Sequence, residues 1–168
     1  MIFLKPGYKT LKFSFADEHR KYISLKDPEY QNKVVIVQLM GTWCSNCLDE
    51  TKYYVELAKK YSSDKFKIIA LTFEKTDDSI RVATNIRRIK ERLNINYPIL
   101  YAGSSSKEDA AKTLPMLSRI AAYPTSIVID KKGMVRKIYT GFSGPASGPV
   151  YEKHVNSFSG FLEKLMAE

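Results

Sequence analysis

Cysteine, histidine and tryptophan are scarce in this sequence, which has two cysteines, two histidines and one tryptophan in 168 residues. A closed zinc site built on both cysteines would need two further ligands, and only His19 and His154 are available. No apolar run approaches the ~20 residues of a membrane-spanning helix. The apolar start at residues 1–4 is too short for the core of a signal peptide. These shortages leave the two cysteines as the strongest chemical signal in the chain.

The overall composition is that of an ordinary globular protein, with 44% hydrophobic and 27% charged residues. We expect a single domain spanning residues 1–168, because a chain of this length can bury a sizeable core. The net charge is +9. The basic residues are scattered among acids without an aromatic platform, which indicates a solvated basic surface and no nucleic-acid partner.

Both cysteines lie in one short motif, Trp43-Cys44-Ser45-Asn46-Cys47. The apolar, β-branched segment 34–40 before it predicts a buried strand, and residues 48–61 after it predict an amphipathic helix. The pair therefore falls where a strand meets the first turn of a helix, whose free N–H groups favour a thiolate. We expect the pKa of Cys44 to lie below about 8.5, the value for a free thiol. Two neighbouring thiols of this kind predict thiol–disulfide exchange.

The rest of the chain alternates strand and helix patterns. Apolar strands are predicted at 65–73, 98–101 and 126–130, and a further strand at 134–139 should pair with the last of these as a hairpin. A helix is predicted at 77–93 with Thr76 or Asp77 as N-cap, and two short N-terminal strands near 11–15 and 22–25 should form another hairpin. A last helix is predicted from one apolar stripe: Tyr151, Val155, Phe158, Leu162 and Leu165. This order predicts an α/β fold with a mixed sheet.

The motif and a later Tyr123-Pro124-Thr125 segment before a buried strand resemble the thioredoxin superfamily, in particular the TlpA/ResA-like thiol–disulfide oxidoreductases of the bacterial cell envelope. The similarity runs from about residue 11 to the end. It implies a thioredoxin-like three-layer fold, with a central mixed sheet flanked by helices. The same family implies an N-terminal β-hairpin extension and a helix–strand insertion before the proline.

The resemblance also implies catalytic roles for three residues. Cys44 is expected to be the attacking thiol, and Cys47 the buried thiol that resolves the mixed disulfide. Glu50 matches the family's acidic residue near the cysteines, which tunes their pKa and moves protons. A carboxylate in the first turn of a helix is also favoured by the helix dipole alone.

Three other residues are expected to contact the substrate. Pro124 matches the family's cis-proline, and the backbone of Tyr123 beside it should pair with an extended segment of the substrate. Trp43 should flank the cysteine pair and shape the contact surface.

The sequence departs from the family pattern at three places. Gln38 stands where thioredoxin has a buried aspartate, which leaves Glu50 as the only nearby carboxylate that the sequence offers as a proton acceptor. Ser45 and Asn46 replace the Gly-Pro of thioredoxin, so its reduction potential cannot be transferred; potentials in the superfamily span about −270 to −120 mV. A proline that often follows the acidic residue is absent, and Thr51-Lys52 occupy this region.

The resemblance implies reduction of disulfides in cell-envelope proteins, including apocytochromes during haem attachment. The partners would be disulfide-containing proteins and a membrane-embedded thiol reductant, and the protein would act as a monomer. The location would be the bacterial periplasm or envelope, with an export segment or anchor outside the given chain. We expect no metal and no organic cofactor, since the Cys44–Cys47 pair is itself the redox group.

Two alternatives remain open at this stage. A copper-binding or metal-delivery module could use Cys44, Cys47 and His154, although such proteins usually separate the cysteines by three residues. A partner-binding module could retain the fold without turnover. A peroxidase lacks support because the sequence has no Thr-x-x-Cys motif.

Overall fold

A mixed sheet of seven strands organises the computed structural model, which describes residues 1–168. The strands are β1 (Ser14–Ala16), β2 (Tyr22–Ser24), β3 (Val34–Met40), β4 (Phe66–Glu74), β5 (Ile99–Ser104), β6 (Thr125–Ile129) and β7 (Val135–Thr140). The helices are α1 (Ser45–Lys60), α2 (Ser79–Leu93), α3 (Lys107–Thr113) and α4 (Pro149–Ala167).

The strands lie side by side in the order β2-β1-β5-β4-β3-β6-β7. Strands β3, β4 and β5 are parallel, while β6 runs antiparallel to β3, and β7 and the β1–β2 hairpin add further antiparallel pairs. The predicted α/β fold with a mixed sheet flanked by helices is therefore confirmed, as is the N-terminal hairpin.

Strand β3 occupies the middle of the sheet, and every one of its seven residues is buried. Because side chains alternate along a strand, Ile36 and Met40 join the core on one face while Val37 and Leu39 join the core on the other. The continuous apolar run in the sequence therefore reflects a strand that is covered on both faces.

The two faces of the sheet are covered differently. Helices α1, α2 and α4 contribute to one core, where Phe158, Leu162 and Leu165 of α4 are almost fully buried. The other face is covered by α3, by the irregular segment 114–120 and by apolar side chains from residues 2–13. The predicted stripe of α4 is confirmed at these three buried positions, whereas Tyr151 and Val155 are only partly buried.

Several element ends differ from the sequence predictions; the strand predicted at 98–101, for example, is Ile99–Ser104. Helix α2 is capped by Asp78, whose carboxylate accepts hydrogen bonds from the N–H groups of Ile80 and Arg81, so the prediction of Thr76 or Asp77 was wrong. All three residues can cap a helix, and the packing of the following apolar stripe selects among them. The predicted strand at 11–15 shortens to Ser14–Ala16, because the earlier residues pack their side chains in the core without pairing in the sheet.

The predicted β6–β7 hairpin is present, and Gly133 in its turn has φ +81°. This left-handed backbone conformation is open to glycine at little cost. No helix of the structure is both long and apolar enough to cross a membrane.

Truncation of a core residue of α4 should show how much the packing of this helix contributes to the free energy of unfolding. Leu162→Ala should lower the free energy of unfolding by about 2–5 kcal/mol, because it removes buried methyl groups and leaves a cavity. Val150→Ala, at an exposed position of the same helix, should change it by less than about 0.5 kcal/mol. Urea unfolding of the three proteins measures both values, and equal losses at the two sites would contradict the packing of α4 described above.

Candidate active site

The two cysteines form a disulfide at the junction of β3 and α1. Cys44 is the N-cap of α1, and its sulfur accepts a hydrogen bond from the backbone N–H of Cys47 at 3.3 Å. Cys44 keeps 8% of its surface exposed, whereas Cys47 is fully buried. The sulfur nearer to solvent is therefore also the sulfur that faces the N–H groups of a helix start, where a thiolate is stabilised.

The segment before β6 brings a second element against the cysteines. The Tyr123–Pro124 peptide bond is cis, as predicted. The carbonyl oxygen of Tyr123 lies 3.9 Å from the sulfur of Cys44. Residues 79 positions apart in the chain thus meet, because β3 and β6 are neighbours in the sheet.

Trp43 lies at the edge of the disulfide, with 41% of its surface exposed. Its indole N–H donates a hydrogen bond of 2.8 Å to the carbonyl of Phe73, and its ring meets that of Tyr123 edge-on at 5.8 Å. Gly41 allows this placement, since a Cβ there would lie 2.3 Å from the indole nitrogen. The predicted flanking position of Trp43 is therefore held by a hydrogen bond, an aromatic contact and a glycine.

Glu50 lies on α1, one turn after Cys47, and is 2% exposed. One carboxylate oxygen accepts hydrogen bonds from Gln38 at 3.1 Å and from Ser126 at 2.8 Å. Ser126 in turn accepts a hydrogen bond from Tyr54, and Gln38 also contacts Thr51. Glu50 therefore ends a chain of uncharged polar groups inside the core.

Burial raises the pKa of Glu50 to about 7, while the hydrogen bonds from Ser126 and Gln38 oppose this shift. The two donors that reach this carboxylate are uncharged, an amide from Gln38 and a hydroxyl from Ser126, so they offset the cost of burial only in part. A carboxyl group with a pKa near neutrality can both take up and release a proton at physiological pH. The position matches the role that the sequence predicts for Glu50.

Glu74, at the end of β4, is a second buried carboxylate beside the motif. It accepts hydrogen bonds from the backbone N–H and the hydroxyl of Thr42, from the hydroxyl of Thr72, and from the amide of Asn85. The expectation that Glu50 is the only nearby carboxylate was therefore wrong. Glu74 follows Glu50 by 24 residues in the sequence. The parallel pairing of β3 with β4 brings Glu74 next to the loop that precedes the cysteines.

His154 lies in an aromatic cluster and away from the cysteines' helix start. Its ring packs on Phe158 and meets Tyr139, Phe142 and Tyr53 edge-on. Burial and the neighbouring Lys137 lower its pKa. The structure contains no group of three His, Cys, Asp or Glu side chains that could hold a metal ion. His154, the histidine of the metal-delivery alternative, packs among aromatic rings in this oxidised form.

The Gly/Pro-rich loop at 141–149 packs against the cysteine-bearing helix. Phe142 stacks on Tyr53 at 6.3 Å, and Gly144 approaches the side chain of Asp49 so closely that a Cβ would lie 3.0 Å from a carboxylate oxygen. The sequence showed the composition of this loop without showing what it contacts.

The chain belongs to the AhpC/TSA family, whose sequence profile matches residues 6–138 and includes both cysteines. Among curated proteins it is similar to the thioredoxin-like protein YneN of Bacillus subtilis, with 25% identity over 82% of this chain and 73% of the relative. It is also similar to the thiol-disulfide oxidoreductase ResA of Bacillus thuringiensis, with 27% identity over 95% of this chain and 78% of that protein.

Solved structures confirm the thioredoxin-like fold. A thiol:disulfide interchange protein of Chlorobium tepidum superposes with a TM-score of 0.68 and 20% identity, over 94% of this chain and 95% of that protein. A thiol-disulfide isomerase of Corynebacterium glutamicum gives a TM-score of 0.69 with 13% identity, over 98% and 99%. The identification of the chain as a thioredoxin-like, TlpA/ResA-like thiol–disulfide oxidoreductase is thereby confirmed.

Gly41→Ala should displace Trp43, because the new Cβ would overlap the indole ring. Since Trp43 is the only tryptophan, fluorescence reports on it alone, and we expect a red-shifted emission with greater quenching by acrylamide. Gly160→Ala is the matched control, since Gly160 is an exposed residue of helix α4 with nothing within 4 Å of an added Cβ. Unchanged emission in Gly41→Ala would show that the indole is not packed over this glycine.

The raised pKa of Glu50 should make the stability of the oxidised protein depend on pH. The folded protein holds this proton up to a pKa of about 7, whereas the usual value is 4.5. Rising pH between these values therefore favours the unfolded chain, by up to about 3 kcal/mol.

Urea unfolding from pH 4.5 to 8 should show that Glu50→Gln loses this decline and becomes more stable than the wild type above pH 7. Glu56→Gln, at an exposed site on the same helix, should keep the wild-type pH dependence. Parallel pH profiles for the wild type and Glu50→Gln would contradict the raised pKa.

Proposed function

We propose that this member of the AhpC/TSA family reduces disulfides in partner proteins of the bacterial cell envelope through the Cys44–Cys47 couple. The observation that carries the proposal is the helix-capping Cys44 sulfur, partly exposed and 3.9 Å from the Tyr123 carbonyl, with a buried titratable Glu50 behind it. The relatives named thiol-disulfide oxidoreductase agree with this chemistry.

The reaction begins with the reduced protein. The Cys44 thiolate attacks one sulfur of the partner's disulfide, forms a Cys44–partner mixed disulfide, and releases the other partner sulfur as a thiolate that takes up a proton. The N–H of Cys47 supports the negative charge on Cys44 before the attack, because it already points at this sulfur in the disulfide form.

The second step returns the pair to the disulfide. Cys47 gives its proton to Glu50, and the resulting thiolate attacks the Cys44 sulfur, which expels the second partner sulfur as a thiolate. Two electrons pass from the dithiol to the partner, which leaves as a dithiol. Glu50 suits this proton transfer because it lies one helical turn after Cys47 and its pKa is near neutrality.

The substrate should cross the surface formed by Trp43, Tyr123 and Pro124. An extended segment that pairs with the backbone of Tyr123 would bring its disulfide to Cys44, since the Tyr123 carbonyl is next to this sulfur. Main-chain pairing of this kind accepts many sequences.

The cycle needs an electron donor but no organic cofactor, because the cysteine pair is the redox group. We assign this role to a membrane-embedded thiol reductant, and we place the protein, as a monomer, in the periplasm or envelope. Apocytochromes awaiting haem attachment are the proposed class of substrate within cytochrome c maturation.

The direction of electron transfer is tested by the equilibrium potential of the Cys44–Cys47 couple, measured against dithiothreitol or glutathione. We expect a value near or below about −250 mV, because a reductase must hold its disulfide form more stably than its substrates do. A value nearer −120 mV would reverse the proposed direction.

Single-cysteine variants provide the control for the mechanism. Cys47→Ser should accumulate a mixed disulfide with a disulfide-containing protein, because the resolving thiol is missing, and Cys44→Ser should form none. Mass spectrometry after acid quenching detects the adduct. Equal trapping by both variants would contradict the division of roles, and no trapping or turnover at all would favour a binding module without enzymatic activity.

A further inference from the structure

A groove of about 550 Å³ lies next to the cysteine motif, between the loop that carries Trp43 and helix α2. Its apolar contributors are Trp43, Leu48 and Ile89, and the proposed chemistry of the disulfide does not use it. The remaining eight lining residues are polar, and four of them are basic. This groove therefore differs in chemistry from the surface around Tyr123 and Pro124.

Four basic side chains line the groove: Lys75, Arg81, Arg88 and Arg92. All four are exposed, and none of them belongs to any of the seven ion pairs in the structure. These pairs are His19–Glu18, Lys59–Glu56, Lys60–Glu163, Lys90–Glu18, Lys112–Asp109, Arg136–Asp130 and Arg136–Glu168. Only five of the 27 lysines and arginines belong to these pairs, so basic residues without an ion pair are common in this protein. The groove is distinguished because four of them line one cavity.

Two of the acidic residues near the groove, Glu74 and Asp78, are engaged in hydrogen bonds. Glu74 in the lining is 2% exposed and accepts four hydrogen bonds from Thr42, Thr72 and Asn85. Asp78 caps α2 through the N–H groups of its first turn. Asp77 and Glu91 are exposed near the groove without an ion pair to its arginines. The net local charge remains positive.

The arginines form a stripe along one face of α2. Arg81, Arg88 and Arg92 are seven and four residues apart, so they share a face, with Asn85 between them. At a rise of 1.5 Å per residue the stripe is about 16 Å long. An extended peptide of about five residues has this length. Arginine binds carboxylates through two parallel hydrogen bonds, which suits aspartate and glutamate side chains.

Trp43 connects the groove to the disulfide. On one side Lys75 places its ammonium group 4.5 Å from the centre of the indole ring, and on the other side the ring meets Tyr123. Cys44 follows Trp43 directly in the chain. A polypeptide whose disulfide reaches Cys44 can therefore pass over Trp43 and enter the groove with the residues that flank its cysteine.

From these observations we infer that the groove between Trp43 and α2 binds an acidic segment that flanks the reactive cysteine of the protein substrate. The inference rests on the proposed function and adds the chemistry that selects the substrate. Attraction between unlike charges speeds encounter and fixes orientation, while backbone pairing at Tyr123 is tolerant of sequence. Nucleic acid fits less well, because Trp43 is the only aromatic ring in the groove and stacking surfaces are absent.

The test compares two synthetic peptides that share one intramolecular disulfide loop. One carries a flank of aspartate and glutamate, and the other carries asparagine and glutamine in the same positions. We expect the wild-type protein, kept reduced by dithiothreitol, to favour the acidic peptide by about tenfold in kcat/KM, because several partly exposed ion pairs act together. Added salt should diminish this preference.

The variant Arg88→Glu with Arg92→Glu should lose or reverse the preference, and Arg88→Gln with Arg92→Gln should lose most of it. Rates are normalised to the reduction of hydroxyethyl disulfide, an uncharged substrate too small to reach the groove. Arg87→Glu with Arg119→Glu is the matched control, since it makes the same change in net charge at exposed positions outside the groove. This control should keep the wild-type preference.

The outcomes separate the groove from the proposed function. Turnover of both peptides at equal rates would contradict the inference that the groove binds an acidic segment, while the proposed oxidoreductase function would still stand. If the groove variant and its charge-matched control lost the preference for the acidic peptide equally, net charge would explain the preference. This result would also contradict the inference about the groove. Binding to phosphatidylglycerol vesicles that depends on Arg88 and Arg92, without any peptide preference, would assign the groove to a membrane surface. No reduction of any disulfide would contradict the proposed function itself.

Discussion

The structure depends on the burial of β3 on both faces and along both edges. Its seven residues are all buried, β4 and β6 pair with its two edges, and α1 begins five residues after it ends. The chain can leave such a strand only at the sheet's end, and the following helix must pack back on the sheet. Cys44 is therefore held between a rigid strand and a helix start, where its sulfur meets a free N–H group. The reactivity of the motif follows from this junction.

The two buried carboxylates near the junction illustrate two ways to accommodate an acid in a core. Glu74 is surrounded by four hydrogen-bond donors and ties the loop before Cys44 to the end of β4. Glu50 receives two donors, from an amide and a hydroxyl, and its pKa rises to about 7. Glu74 therefore anchors a loop, whereas Glu50 is the residue to which we assign the proton transfer in the proposed function.

Recognition and reactivity are arranged on different elements. The disulfide, Tyr123 and Pro124 sit on the sheet's end and present mostly backbone, so they suit many substrates. The arginines of α2 line the groove next to Trp43 and present side-chain charge, to which we assign the selection of substrates. Such a division would allow one redox site to be combined with a selective surface, because none of the three arginines donates a hydrogen bond to the groups around the cysteines.

Much of the fold and the core of the site could be predicted from the sequence, because they depend on local patterns. The apolar run of β3, the motif at 43–47, the proline at 124 and the stripe of α4 each carry their signal within a few residues, and hydrophobic periodicity and helix-end chemistry act at that range. The sequence alone thus determined the α/β fold and the cysteine pair at a helix start. Only the tertiary structure decided which carboxylates surround the pair, that His154 packs among aromatic rings, and that three arginines face Trp43. These contacts join residues from strands and helices far apart in the chain, and their geometry arises from sheet order and packing, which no local pattern encodes.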